Sequence, residues 1–166
     1  MLGRYEEALS DFNKALELYP RNSIALMNIG GICEERGQDK EAAEYYTSAI
    51  QITPLYIIPY SKRAYLFAKE KNYIAAIEDY EKALSIDLSQ IPKDACVDYT
   101  LSKTELDRIY PPIFHDCGIS YLKIGNYLKG KEYLQRFLKI ASPYHLDKIG
   151  QVTQVLAWID IQLGIC

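Results

Sequence analysis

The chain has 166 residues, 49% of them hydrophobic and 25% charged, the balance of a globular domain with a sizeable core and not of a disordered segment. With 19 basic against 22 acidic residues the net charge is −3, which excludes the basic excess of a general nucleic-acid or anionic-membrane binder. The opening residues show no basic stretch followed by an apolar run. The longest uncharged stretch, residues 45–61, contains Pro54 and Pro59, so neither a signal peptide nor a membrane-spanning helix of about 20 apolar residues is read. Cysteines at 33, 96, 117 and 166 are far apart and form no Cys-x-x-Cys pair. That spacing resembles neither a zinc site nor a disulfide scaffold and suits a reducing, cytoplasmic compartment.

In chain order, residues 1–22 read as one helix over 4–19, with the stripe Leu9, Phe12 and Leu16 and a stop at Pro20. Residues 23–56 and 57–90 each read as two antiparallel helices, the first pair stopped by Pro54. Residues 91–110 read as an insertion. Ile91-Pro-Lys-Asp opens it as a loop, Thr100 or Ser102 caps a short helix with Glu105 nearby, and Pro111-Pro112 ends that helix. Residues 111–144 form a divergent pair, and residues 145–166 form a capping helix or the first helix of a further unit. Its stripe is Ile149, Val152, Leu156, Ile159 and Leu163.

These units share columns at a spacing of 34 residues, lengthened to 54 across the insertion. In each second helix a small residue (Ala8, Ala42, Ala76, Gly130) lies four before a large one (Phe12, Tyr46, Tyr80, Leu134), placing both on one face. The first helices supply Leu26, Tyr60 and Phe114, then Gly30, Ala64 and Gly118, then Cys33, Phe67 and Tyr121. Gly3, Gly37 and Gly125 mark turns within pairs, where a left-handed backbone is accessible. The pattern resembles the tetratricopeptide repeat (TPR), whose period and motif it shares over nearly the whole chain outside the insertion. The resemblance implies an all-α, right-handed superhelical solenoid of antiparallel helix pairs. Its concave groove would bind a peptide or partner helix.

No catalytic constellation is read. His115 and His145 fall on different helices without a predictable nucleophile neighbour. Gly30-Gly31 lacks the spacing of a phosphate loop. Cys33 and Cys117 occupy core columns that favour inert burial, and no ligand cluster suggests a metal or other cofactor. Most of the 15 tyrosines fall in packing columns, but Tyr65 falls on the groove face. That face is expected to hold Met27, Asn28, Gly31, Glu34 and Glu35, then Lys62, Tyr65 and Lys69, then His115, Ile119 and Lys123. It has an acidic end, an apolar and aromatic middle, and basic points suited to a peptide partner. In a TPR subclass that clamps acidic chaperone tails, Asn28 and Lys62 match two clamp columns, but Ile58 replaces an expected basic residue, so a full clamp is not assigned.

Two further expectations concern single features. Arg63 stands in a column with Ile29 and Cys117, where an unpaired guanidinium is costly, so an ion pair with Asp94 or Asp98 of the insertion is expected. The terminal stripes, Leu9, Phe12 and Leu16 at one end and Val152, Ile159 and Leu163 at the other, offer an alternative role. They would make the chain a self-assembly module forming homo-oligomers, with the last helix of one copy completing the first of another.

Overall fold

The computed structural model describes residues 2–87, 103–141 and 145–165. Eight α-helices follow one another among them, with no strand: α1 (Leu2–Leu18), α2 (Ser23–Glu35), α3 (Asp39–Ile52), α4 (Ile57–Lys69), α5 (Tyr73–Ser85), α6 (Lys103–Lys123), α7 (Tyr127–Ile140) and α8 (Leu146–Gln162). Each packs chiefly on its neighbours in sequence, so α2–α3, α4–α5 and α6–α7 are the tight pairs. This is the TPR solenoid that the columns anticipate, in which stacked pairs bury a continuous core. α1 begins at Leu2, which places Gly3 inside a helix and not at a turn.

The column of small residues explains the close pairing. A Cβ added to Gly30 would lie 2.8 Å from the Tyr46 ring, and one added to Gly118 would lie 2.8 Å from Leu134 Cγ. Both glycines therefore sit where a first helix meets the large residue of the second. Around them the core is tightly closed: Tyr46, Ala49 and Ala64 are fully buried, as are Tyr80, Cys117, Leu134 and Ile159 to within 1%.

Each pair closes by the same turn. Gln38 N–H reaches back to Cys33 C=O at 2.9 Å, and Asn72 to Phe67 and Asn126 to Tyr121 do the same at 2.8 and 3.0 Å. This is the Schellman closure, which needs a left-handed residue just past the helix. Gly37 and Gly125 take it with φ of 74° and 80°, and Lys71 takes it with φ of 63°. α8 ends in that closure too, through Ile165 N–H to Asp160 C=O and Gly164 at φ 66°, so it is built as a first helix. The side chains of Asn22, Asn72 and Asn126 then cap α2, α5 and α7 by accepting the N–H groups of Ala25, Ala75 and Lys129.

Two expectations are corrected here. Pro111 and Pro112 do not end a helix, because α6 runs through both. Proline inside a helix costs about 3 kcal/mol in lost hydrogen bonds and clash. Here Ile109 and Tyr110 before the prolines and Ile113 and Cys117 after them pack into one core with α4 and α5, and Pro111 itself is fully buried. The described end of the insertion is thus the first turns of a long first helix, while the loop and cap expected over 91–102 lie outside the described residues.

The second correction concerns Arg63. Its guanidinium grips Asp79 of α5, Nε to Oδ2 at 2.7 Å and NH2 to Oδ1 at 2.8 Å, and donates from NH1 to Thr47 Oγ1 of α3 at 2.9 Å. The carboxylate comes from within the array and needs nothing from Asp94 or Asp98, which lie outside the described residues. Hydrogen bonding to Asp79 outweighs burial and raises the Arg63 pKa further, so the charge is permanent.

Candidate functional site: the concave groove

The first helices α2, α4 and α6 line one face of the stack, and two adjoining hollows of about 340 Å³ each lie along it. One is walled by Glu34, Ile58, Ser61 and Lys62 on one side and Arg108, Ile109, Pro112 and Ile113 on the other. The other runs from Ala68, Lys69 and Tyr73 to His115, Ile119, Ser120 and Lys123. Tyr65, Tyr80 and Asp116 belong to both, so the hollows form one groove between α4 and α6. Tyr65 is 48% exposed at its centre.

Charges in the groove divide into held and unheld groups. Glu34 accepts the Tyr46 hydroxyl at 2.6 Å and sits 3.3 Å from Lys62 Nζ, which fixes both at the boundary of the first and second full pairs. Lys69 Nζ reaches Asp39 Oδ2 at 2.6 Å, and that carboxylate holds the ammonium above the ordinary lysine range. His115 Nδ1 lies 2.6 Å from Asp116 Oδ1, and its ring meets Phe137 edge-on at 5.4 Å. Lys148 approaches the same Asp116 oxygen at 3.9 Å. Arg108 and Lys123 are exposed and form no ion pair or hydrogen bond with a described residue. They are the cations that a ligand meets uncommitted.

The structure brings Glu34, Lys62, Tyr65, Lys69, His115, Ile119 and Lys123 together along this groove. Asn28, Gly31 and Glu35 line a third hollow against α1, with Arg4, Tyr5 and Phe12 opposite, which meets the groove at Lys62. Asn28 turns its amide onto its own helix, donating to Ile24 C=O at 3.0 Å. Met27 is half-buried, and its side chain packs on the cluster of Ile29, Cys33 and Tyr46. At the far end, Val152 and Ile159 are 1% and 0% exposed against α7 and cannot present a surface. The exposed large apolar side chains of α8 are Leu146, Trp158 and Ile161 instead.

Arg108, Ile109, Asp116 and Tyr80 are groove residues that the columns did not mark. For Asp116 the signal was present, since it occupies the column of Lys62 one unit on, 54 residues later. Burial pushes the Cys117 thiol up to about 12 and raises Cys33 as well, so both stay protonated and unreactive at neutral pH. Among the described residues no group of His, Cys, Asp or Glu side chains could hold a metal ion. No helix there is long and apolar enough to cross a membrane.

Models of the tetratricopeptide repeat match residues 2–57 and 59–90. A DnaJ homolog subfamily C member 7 homolog of Dictyostelium discoideum is 30% identical over 159 residues, covering 90% of this chain and 28% of its own length. The chain thus spans less than a third of that relative. Among solved structures, MamA superposes with a TM-score of 0.71 over 98% of this chain and 80% of its own, at 15% identity. The first TPR of Spaghetti, bound to an HSP90 peptide, gives a TM-score of 0.64 over 86% of this chain and 93% of its own, at 18% identity.

Proposed function

The chain belongs to the tetratricopeptide repeat family, and from that premise we propose that it is a non-catalytic scaffold whose concave groove holds a peptide or helix of a partner protein. The observation that carries this reading is the groove itself. An exposed tyrosine sits at its centre, apolar walls flank it, and Arg108 and Lys123 remain uncommitted at its rim. Aromatic anchors with polar neighbours are what a peptide-binding surface uses, and the Spaghetti neighbour holds a peptide in this fold. The test is capture of partners from a native lysate by the wild type and by Tyr65→Ala/Lys123→Glu. Both residues are exposed, so the variant keeps its circular-dichroism spectrum. A partner captured by the wild type and lost from the variant supports the reading; partners retained equally by both overturn it.

A self-assembly module is the second reading. It is favoured by the two outer helices: among the described residues α1 packs chiefly on α2, and α8 packs chiefly on α7. Trp158 and Ile161 are 46% and 64% exposed on α8, and Leu18 and Tyr19 are exposed where α1 ends. Light scattering across a concentration series tests it. A mass that rises with concentration and returns to the monomer value in Trp158→Ser/Ile161→Ser supports self-assembly, and a constant monomer mass removes it.

A further inference from the structure

Tyr46 and Tyr80 hold the same position in successive units and are buried alike, at 0% and 1% exposure. Their surroundings differ. Twelve residues before Tyr46 stands Glu34, which takes the hydroxyl and meets Lys62 of the following first helix. Twelve residues before Tyr80 stands Ala68, and the Tyr80 hydroxyl is buried with no partner. The residue in the column of Lys62 is now Asp116. Tyrosine, glutamate and lysine in one unit have become tyrosine, alanine and aspartate in the next.

The replacement leaves a notch in the groove wall. Ala68, Tyr80 and Asp116 all line the hollow between α4 and α6. His115 and Lys148 both approach Asp116 through Oδ1, and no described residue donates a hydrogen bond to its Oδ2. Of the charged groups around the Tyr80 hydroxyl, Asp116 acts on it most strongly. The notch therefore presents one donor and one acceptor. A ligand carboxylate would accept from Tyr80 but be repelled by Asp116. An ammonium would pair with Asp116 but offer no acceptor to the hydroxyl proton. A carboxamide satisfies both.

We propose that the Ala68 notch is a subsite for an asparagine or glutamine side chain of a bound peptide, its carbonyl oxygen accepting from Tyr80 and its amide nitrogen donating to Asp116. This rests on the peptide-groove reading and adds the chemistry that selects the peptide. The Tyr80 hydroxyl is covered, so a neighbour must yield.

The probe is a set of short, blocked, fluorescent peptide pools that differ in one fixed residue, Asn, Gln, Asp, Lys or Ala, read by anisotropy against the whole chain. The Asn or Gln pool binds the wild type roughly tenfold more tightly than the others, one well-made hydrogen-bonded contact in affinity. Tyr80→Phe removes that preference, and Ala68→Gln removes it by supplying the amide from within. Binding without an amide preference, or a preference unchanged in Tyr80→Phe, overturns the subsite and leaves the groove reading standing. No binding by any pool, or binding undiminished in Tyr65→Ala/Lys123→Glu, overturns the groove reading and the subsite with it. A second measurement needs no ligand: Ala68→Gln raises the melting temperature by about 2–4 °C in the Tyr80 protein and not in Tyr80→Phe. Equal shifts in both backgrounds overturn the match of donor and acceptor.

Discussion

Arg63 and Asp79 meet in a bidentate pair, at 2.7 and 2.8 Å, with side chains only 18% and 10% exposed. The two residues are 16 apart, and Thr47, which takes the remaining hydrogen bond, is 16 before Arg63. One guanidinium therefore ties three consecutive helices, α3, α4 and α5, across the boundary between units. Breaking a buried pair leaves an uncompensated charge, whereas replacing both partners by apolar groups is far less costly. Arg63→Met alone should lower stability by about 3–5 kcal/mol, while Arg63→Met/Asp79→Leu should recover most of it. Urea unfolding of the two single variants and the double variant measures the coupling. Single-variant losses that simply add in the double variant would show that the pair holds nothing together.

The contrast between Tyr46 and Tyr80 predicts opposite effects from the same substitution. Tyr46→Phe removes a hydrogen bond to the carboxylate of Glu34 and should destabilise by about 1.5–3 kcal/mol. Tyr80→Phe removes a buried hydroxyl that has no partner and should stabilise by about 1 kcal/mol. Thermal melts of both variants in the absence of any ligand decide the matter. A loss of stability in Tyr80→Phe comparable to that in Tyr46→Phe would mean that the hydroxyl is satisfied in solution.

The columns made the helix order legible because helix pairing depends on small residues meeting large ones at a fixed spacing, and that is written locally. What depends on tertiary context was not. Pro111-Pro112 reads as a stop by propensity, and only the packing of Ile109, Tyr110 and Ile113 on α4 and α5 keeps α6 intact. The partner of Arg63 was legible in principle: Asp79 is an acid in the column of Asp11, Tyr45 and Tyr133, 16 residues after the arginine. Tyr80 was hidden from the groove because its column also serves the core, and its second role arises only from the loss of a carboxylate at position 68.

Lys71 offers a stabilising change. It occupies the left-handed turn position held by Gly37 and Gly125 in the other pairs, at φ 63°, and it is exposed. A side chain in that conformation costs about 1–2 kcal/mol, and glycine returns part of the gain through its freer unfolded chain. Lys71→Gly should therefore raise stability by about 0.5–1 kcal/mol, with Gly37→Ala lowering it by a similar amount. Chemical denaturation midpoints at unchanged slope check both, and a destabilised Lys71→Gly would show that the lysine side chain contributes more than its backbone costs.

Glu81 gives the fold a sensitivity to acid. It accepts hydrogen bonds from the hydroxyls of Tyr121 at 2.5 Å and Tyr133 at 2.9 Å and lies 3.7 Å from Lys129 Nζ, joining α5, α6 and α7. Burial opposes its ionisation, but the two hydroxyls and the ammonium together outweigh burial and hold the carboxyl below the ordinary glutamate range. Because the folded-state pKa is the lower one, the unfolded chain takes up the proton first as the pH falls. The stabilisation is thus complete above the unfolded value of about 4.3 and is lost as the pH drops through the folded one. Glu81→Gln should melt at a lower temperature than the wild type at pH 7, and the two should converge as the pH is lowered from about 5 toward 3. Melting curves across that range read the convergence directly. A constant gap at every pH would mean that Glu81 contributes through packing and not through its charge.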